Sequence, residues 1–171
     1  PAFAKATAEE TDYQHHLSGF AGALGVCGKH NRQSTNRTVI MTEKKNVFVI
    51  IGSASKTSAN QKLVDRFGDL SKDAFNLTIY NDLKNLPHFD PELSADSPPQ
   101  VIVEFRNAID QADGVLICTP EYVFSIPSGL KNAIEWCVST TVFSDKPVGL
   151  ITASLDGQKG HQELQLIMKT I

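Results

Sequence analysis

The sequence predicts an α/β fold, an open parallel sheet of short strands with helices packed on both faces. Two observations carry that expectation. Short apolar runs alternate along the chain with segments whose apolar residues recur at helical spacing, the pattern of right-handed βαβ units. The apolar runs are continuous, Val47-Phe48-Val49-Ile50-Ile51 being the clearest, as expected of strands buried on both faces. A third observation locates function. Segments 52–60, 119–127 and 152–160 follow strands and are rich in Gly, Ser, Thr or Pro. In open α/β sheets, ligands lie outside the carboxyl ends of the strands, where strand order reverses.

Residues 1–40 mix Ala, Gly, polar residues and paired His without a sustained period. They are expected to be an extension outside the fold, with Met41 as the natural start and 41–171 as the domain. Cys27-x-x-His30, near His15 and His16, lacks a second ligand pair at zinc spacing, so no metal site is expected. The first strand feeds a helix with Leu63, Val64, Phe67, Leu70 and Ala74 on one face. Leu77-Thr78-Ile79-Tyr80 reads as a second strand, and Leu86-Pro87-His88-Phe89-Asp90-Pro91 as a proline-punctuated loop. Asp96 or Ser97 is expected to cap a helix that opens with Pro98 and Pro99. Val101, Ile102, Phe105, Ala108, Ile109 and Ala112 give that helix one apolar face, and Asp113-Gly114 stops it. Val115-Leu116-Ile117-Cys118 is the third strand, and the helix after Pro127 turns Leu130, Ala133, Ile134 and Cys137 inward. Residues 147–152 form the fourth strand, and a last helix holds Leu164, Ile167 and Met168. No fifth strand follows, so either the sheet has four strands or a C-terminal βα unit is missing.

Composition bounds the function classes. A chain of 171 residues with 41% apolar and 20% charged residues is expected to form one globular domain with a real core. The formal net charge of −3 gives no electrostatic reason to expect nucleic acid as partner. No apolar run approaches the roughly 18 residues that a membrane span needs. Three cysteines without C-x-x-C or disulfide-rich spacing fit a reducing cytosol.

The segment Gly52-Ser53-Ala54-Ser55-Lys56-Thr57-Ser58-Ala59-Asn60 joins the first strand to a helix N-terminus. Free N–H groups and the helix dipole favour an anion there, above all a phosphate. Ser53, Ser55, Thr57, Ser58 and Asn60 add side-chain donors. The segment is neither G-x-x-x-x-G-K-[ST] nor G-x-G-x-x-G, because Gly52 stands alone and Lys56 comes two positions early. An ordinary βα turn capped by Ser58 or Asn60 remains the alternative.

Three stretches together resemble a known family. They are Gly52-Ser53-x-x-x-x-Ser58-x-Asn60-x-x-Leu63, then Leu86-Pro87-x-Phe89, then the block Thr119-Pro120-Glu121-Tyr122-x-x-Ser125-Ile126-Pro127-x-x-Leu130-Lys131-Asn132-Ala133-Ile134-Glu135-Trp136. This pattern is similar to that of the NADPH-dependent FMN reductases, which include quinone, chromate and azo-dye reductases, and it spans about residues 45–170. The resemblance implies a flavodoxin-like fold and a bound FMN reduced by NADPH or NADH. The reduced flavin would then pass electrons to a quinone, free flavin or similar small acceptor in a ping-pong cycle. It further implies a homodimer or homotetramer, with the 98–112 and 127–138 helices as contacts. By resemblance, Ser53, Ser58 and Asn60 bind the FMN phosphate together with backbone N–H groups, and Ser55 lies in the same loop. Pro120, Glu121 and Tyr122 border the isoalloxazine largely through backbone contacts, with Ser125 close by. The loop 153–160, including Ser154 and Gly157, closes the other side of the ring.

The chain departs from the family pattern in three places. Ser55 stands where Arg is frequent, which removes a charge-assisted phosphate contact. Val123 stands where Asn is common, which removes an amide near the ring. The last βα unit is expected to be missing, leaving a sheet edge open. Cys118 and Cys137 read as core residues, Trp136 as a packing or subunit-contact residue, and His161 as a surface or capping residue. Tyr122 stays open between ring-lining and interface roles, and Lys56 between phosphate contact and solvent. No Ser/His/Asp or Cys/His constellation assembles from these loops, and a flavin needs none, so no catalytic residue is named. Two rival readings are a flavodoxin-type electron carrier served by a protein partner and a flavin-free relative that kept the fold.

Overall fold

The computed structural model describes residues 43–55, 57–154 and 157–171. The expected extension, its Cys27 and His30, Met41 and Lys56 lie outside the described residues. Strands β1 (Lys45–Ile51), β2 (Phe75–Tyr80), β3 (Gly114–Thr119) and β4 (Val148–Thr152) form one parallel sheet in the order β2-β1-β3-β4. This is the expected flavodoxin-like arrangement, with the reversal of strand order falling between β1 and β3.

The strand residues divide by period two between the faces of the sheet. Val47, Val49, Ile51, Leu116, Cys118 and Ile151 bury against helix α1 (Ala59–Ser71) through Val64 and Phe67. Phe48, Ile50, Val115, Ile117, Val148 and Leu150 face the other way. There they meet helices α3 (Gln100–Gln111), α4 (Ser128–Glu135) and α5 (Gln158–Met168), through Ile102, Phe105, Ile109, Leu130, Ile134 and Leu164. A strand covered on both sides gains apolar burial at every residue, which explains the unbroken apolar runs.

Two local expectations are corrected. Leu70 is 56% exposed, because the buried stripe of α1 ends at Phe67, which stacks on Phe75 at 6.0 Å. Neither Asp96 nor Ser97 caps α3. Pro99 itself flanks the helix with its ring-fixed φ of −53°, and its carbonyl accepts from the Ile102 and Val103 N–H groups. The short helix α2 (Pro91–Ser94) precedes it, capped by the Asp90 carboxylate on Glu92 N at 2.9 Å.

Helix α2 is tied to the end of α4 by Arg106, which is buried. Its Nε donates to Trp136 O at 2.8 Å, its Nη1 to Ser94 O at 2.9 Å, and its Nη2 to Ser94 Oγ, Ser139 Oγ and Trp136 O. These acceptors are uncharged, and the carboxyl end of α4 supplies negative dipole charge that suits a guanidinium. Arg106→Met strips several buried acceptors of their donors. It is expected to lower unfolding free energy by about 2 to 4 kcal/mol, read as a fall in urea midpoint at unchanged slope.

Candidate functional site

The carboxyl ends of β1, β3 and β4 are in register, Ile51 beside Cys118 and Thr119 beside Thr152. The ladder continues past the strands. Gly52 N donates to Cys118 O at 2.8 Å, and Ala153 N to Thr119 O at 3.0 Å. The loops that leave these strands therefore emerge side by side on one edge of the sheet. Gly52 makes the closest approach possible. A Cβ there would collide with Thr119 Oγ1 and come within 2.7 Å of Thr119 Cβ.

The first loop runs over Ser53, which is buried, to Ser58 at the N-terminus of α1. Ser53 Oγ accepts from Ser55 N at 3.3 Å, and Ser58 Oγ from Gln61 N at 3.2 Å. Each hydroxyl thus keeps its proton for a further acceptor. The Ala59 and Asn60 N–H groups lie in the first helical turn, where no intrahelical partner exists. Segment 52–60 contains no carboxylate, nor does the first turn of α1. This donor set fits the phosphate of FMN. Asn60, nearly fully buried, is turned toward the sheet, its Oδ1 accepting from Cys118 Sγ at 3.3 Å. It positions the start of α1 on β3. Ser55 is exposed at the outer side of the loop.

The second loop follows Pro120, which is buried after β3. Tyr122 and Ser125 exchange both backbone hydrogen bonds, at 2.9 and 3.0 Å, around Val123 (φ 52°) and Phe124 (φ 60°). Positive φ at both central residues makes this a type I′ turn, a conformation that a β-branched valine rarely adopts. Tyr122, Val123 and Phe124 are all exposed, Val123 at 94%. The Glu121 carboxylate accepts from Gly160 N at 2.8 Å, in the first turn of α5. Glu163 on the same helix accepts from Ser125 Oγ at 2.6 Å and from Ile126 N at 3.2 Å.

In the third loop, Ser154 is half-buried and Gly157 flanks α5 in the left-handed region at φ 49°. His161 corrects an expectation. It is neither a surface nor a capping residue but is 2% exposed, with Nδ1 2.9 Å from Thr152 Oγ1. Gln158 to Met168 packs against the sheet, and position 161 faces inward alongside Leu164.

Trp136 is fully buried, and its Nε1 donates to Pro87 O at 2.9 Å. Asn132 reaches the same loop, with Oδ1 accepting from Phe89 N at 2.7 Å and Nδ2 donating to Pro87 O at 2.9 Å. Both residues therefore hold the Leu86–Phe89 stretch against α4, and Trp136 has no exposed face to offer a flavin or a subunit. Glu163 is the residue that sequence reasoning missed, and His161 the one it placed at the surface or cap. Their partners lie 38 positions away on another loop and 9 away across a strand end, and no local spacing announces either pair.

Burial pushes the thiols of Cys118 and Cys137 up to about 12. As core residues they are inert nucleophiles. Both should resist iodoacetamide at pH 8 until the protein unfolds. A raised folded-state pKa means that the stabilisation from these neutral thiols is complete below the unfolded value near 9. It is lost as pH climbs from about 9 to about 12, so urea midpoints should fall over that window and shift less in Cys118→Ala.

The chain is 35% identical over 127 residues to the NADH:(hydroxy)cinnamate reductase subunit CrdA of Vibrio ruber, covering 74% of this chain and 61% of that protein. It is 32% identical over 117 residues to a quinone reductase of Pseudomonas putida, covering 67% of this chain and 62% of that one. The chain thus spans about three-fifths of the length of these curated relatives. Among solved structures it is similar to FerB, a flavoenzyme NAD(P)H:(acceptor) oxidoreductase from Paracoccus denitrificans. The TM-score is 0.67 at 29% identity, over 74% of this chain and 71% of that one. The family model described as NADPH-dependent FMN reductase matches residues 45–170, the whole span in which the sheet and its three loops were traced, and the chain belongs to that family.

Proposed function

We propose that this chain is an FMN-dependent NAD(P)H oxidoreductase that reduces quinones, free flavin or similar small acceptors in a ping-pong cycle. The observation that carries the reading is the convergence of a carboxylate-free donor loop and a Pro/Tyr turn across the β1/β3 switch point. Ser53, Ser58 and the N–H groups opening α1 would hold the phosphate, and Ser55 would add a solvent-side hydroxyl. The dipole of α1 favours the phosphate charge. Asn60 would act through its hold on Cys118. Pro120, Glu121, Tyr122 and Ser125 would form one wall of the ring slot, and Ser154 and Gly157 the other. When bound, FMN supplies a hydride acceptor and passes the electrons on, so the protein's task is to bind, orient and shield. No side chain at these loops is assigned an acid or base role.

Cytoplasmic residence and a homodimer or homotetramer complete the proposal. The buried, unreactive Cys118 and Cys137 suit a reducing compartment, and no helix among the described residues is long and apolar enough to cross a membrane. Exposed Tyr122, Phe124 and Val138 supply apolar surface for a second copy.

The deciding experiment is a visible spectrum of the protein titrated with FMN, followed by anaerobic NADPH or NADH. Flavin bands perturbed by binding and then bleached by pyridine nucleotide, with turnover on adding menadione, are the expected outcome. Bound flavin that neither nucleotide bleaches would support an electron carrier, and failure to bind excess FMN would overturn the proposal. Ser58→Ala removes both a cap and a phosphate donor. It is expected to weaken FMN binding about tenfold, with a cap loss of about 1 kcal/mol in stability.

A further inference from the structure

The turn at the tip of the β3–α4 loop is held by contacts that its own sequence does not favour. Val123 and Phe124 both sit at positive φ, at 52° and 60°. A β-branched residue persists there only where its surroundings over-determine the conformation. Val123 and Phe124 are themselves exposed; the turn is closed by the Tyr122–Ser125 backbone pair, and its base is fixed by two carboxylates that cross between the loop and α5 in opposite directions. Glu163 reaches from the helix to Ser125 Oγ (2.6 Å) and Ile126 N (3.2 Å), and Glu121 reaches from the loop to Gly160 N (2.8 Å). Gly160 permits the approach, since a Cβ there would lie 3.2 Å from Glu121 Cγ and 3.2 Å from Ser125 O.

We infer that Glu163 is a positioning residue whose carboxylate holds the Tyr122–Ser125 turn in its left-handed form, so that the wall for the flavin ring is built before the ring arrives. The inference rests on the FMN reading above and adds a residue outside its loops. Charge-assisted bonds of this length are among the stronger ones available to a part-buried loop. A wall that is already ordered costs the ligand less conformational entropy on binding. Released from Glu163, the turn relaxes out of the positive-φ region, and the ring must reorder it.

The test compares Glu163→Ala, Glu163→Gln and Glu163→Ala with Val123→Gly against the parent protein. In the absence of flavin, backbone amide exchange at Tyr122, Ser125 and Ile126 is expected to quicken in Glu163→Ala and to stay near the parent rate in Glu163→Gln, whose amide oxygen still accepts. FMN affinity is expected to fall about tenfold in Glu163→Ala and to recover most of that loss when Val123→Gly is added, because glycine enters the left-handed region without steric cost. A merely structural Glu163 would lower the melting temperature yet leave exchange at these amides and FMN affinity at parent values, with no rescue by Val123→Gly. That result overturns the inference. If Glu163→Ala does not fold, Ser125→Ala removes one of the two bonds. Faster exchange at Ser125 and Ile126 then supports the clamp, and unchanged exchange overturns it. Should the parent protein fail to bind FMN, the functional proposal falls, while the flavin-free exchange measurement still decides the clamp.

Discussion

The contact on which the site depends is the approach of β1 to β3 where both strands end. Gly52 lies against Thr119 with no room for a side chain, and its N–H remains in the β-ladder on Cys118 O at 2.8 Å. The chain can therefore turn off β1 directly over the end of β3. Asn60 secures the result from the helix side by accepting from the Cys118 thiol. The N-terminus of α1 and the loop after β3 are brought to one place by backbone geometry, before any ligand is considered.

A second layer of polar contacts fixes what that approach leaves loose. The third loop and α5 are bound to the sheet through His161 and Thr152, and to the second loop through Glu121 and Glu163. Asn132 and Trp136 bind the Leu86–Phe89 stretch to α4, and Arg106 gathers α2 and the end of α4. These contacts join different elements and satisfy polar groups that burial would otherwise leave at a cost. The hydroxyls of the first loop differ, because they accept from backbone N–H groups and so retain protons that can be turned toward an anion.

This division suits the proposed flavin chemistry. The reaction would belong to the cofactor, and the polypeptide would contribute a charge-complementary end for the phosphate and a slot for the ring. The two described cysteines are withdrawn into the core. The NADPH-dependent FMN reductase family model spans residues 45–170, which hold the whole sheet β2-β1-β3-β4.

Local chain chemistry was sufficient for the four described strands and the four longer helices, because burial leaves a period in the sequence, but not for the short helix α2. The runs 47–51 and 115–118 are legible for that reason, whereas the Pro120–Trp136 block stands out through its resemblance to a known family. Where an apolar stripe stops is not a local property, so the exposure of Leu70 follows from the reach of Phe67 and Phe75 instead. The same holds for Pro99 as the flank of α3. Contacts between Glu163 and Ser125, Glu121 and Gly160, or Asn132 and Phe89 join residues some 40 positions apart, and their spacing carries no signal. His161 reads as a loop-end polar residue until the fold brings Thr152 beside it. The left-handed Val123 is the plainest case. Its intrinsic preference is for extended backbone, and its left-handed conformation comes from a turn closed by the Tyr122–Ser125 backbone pair and tied to α5 by Glu121 and Glu163.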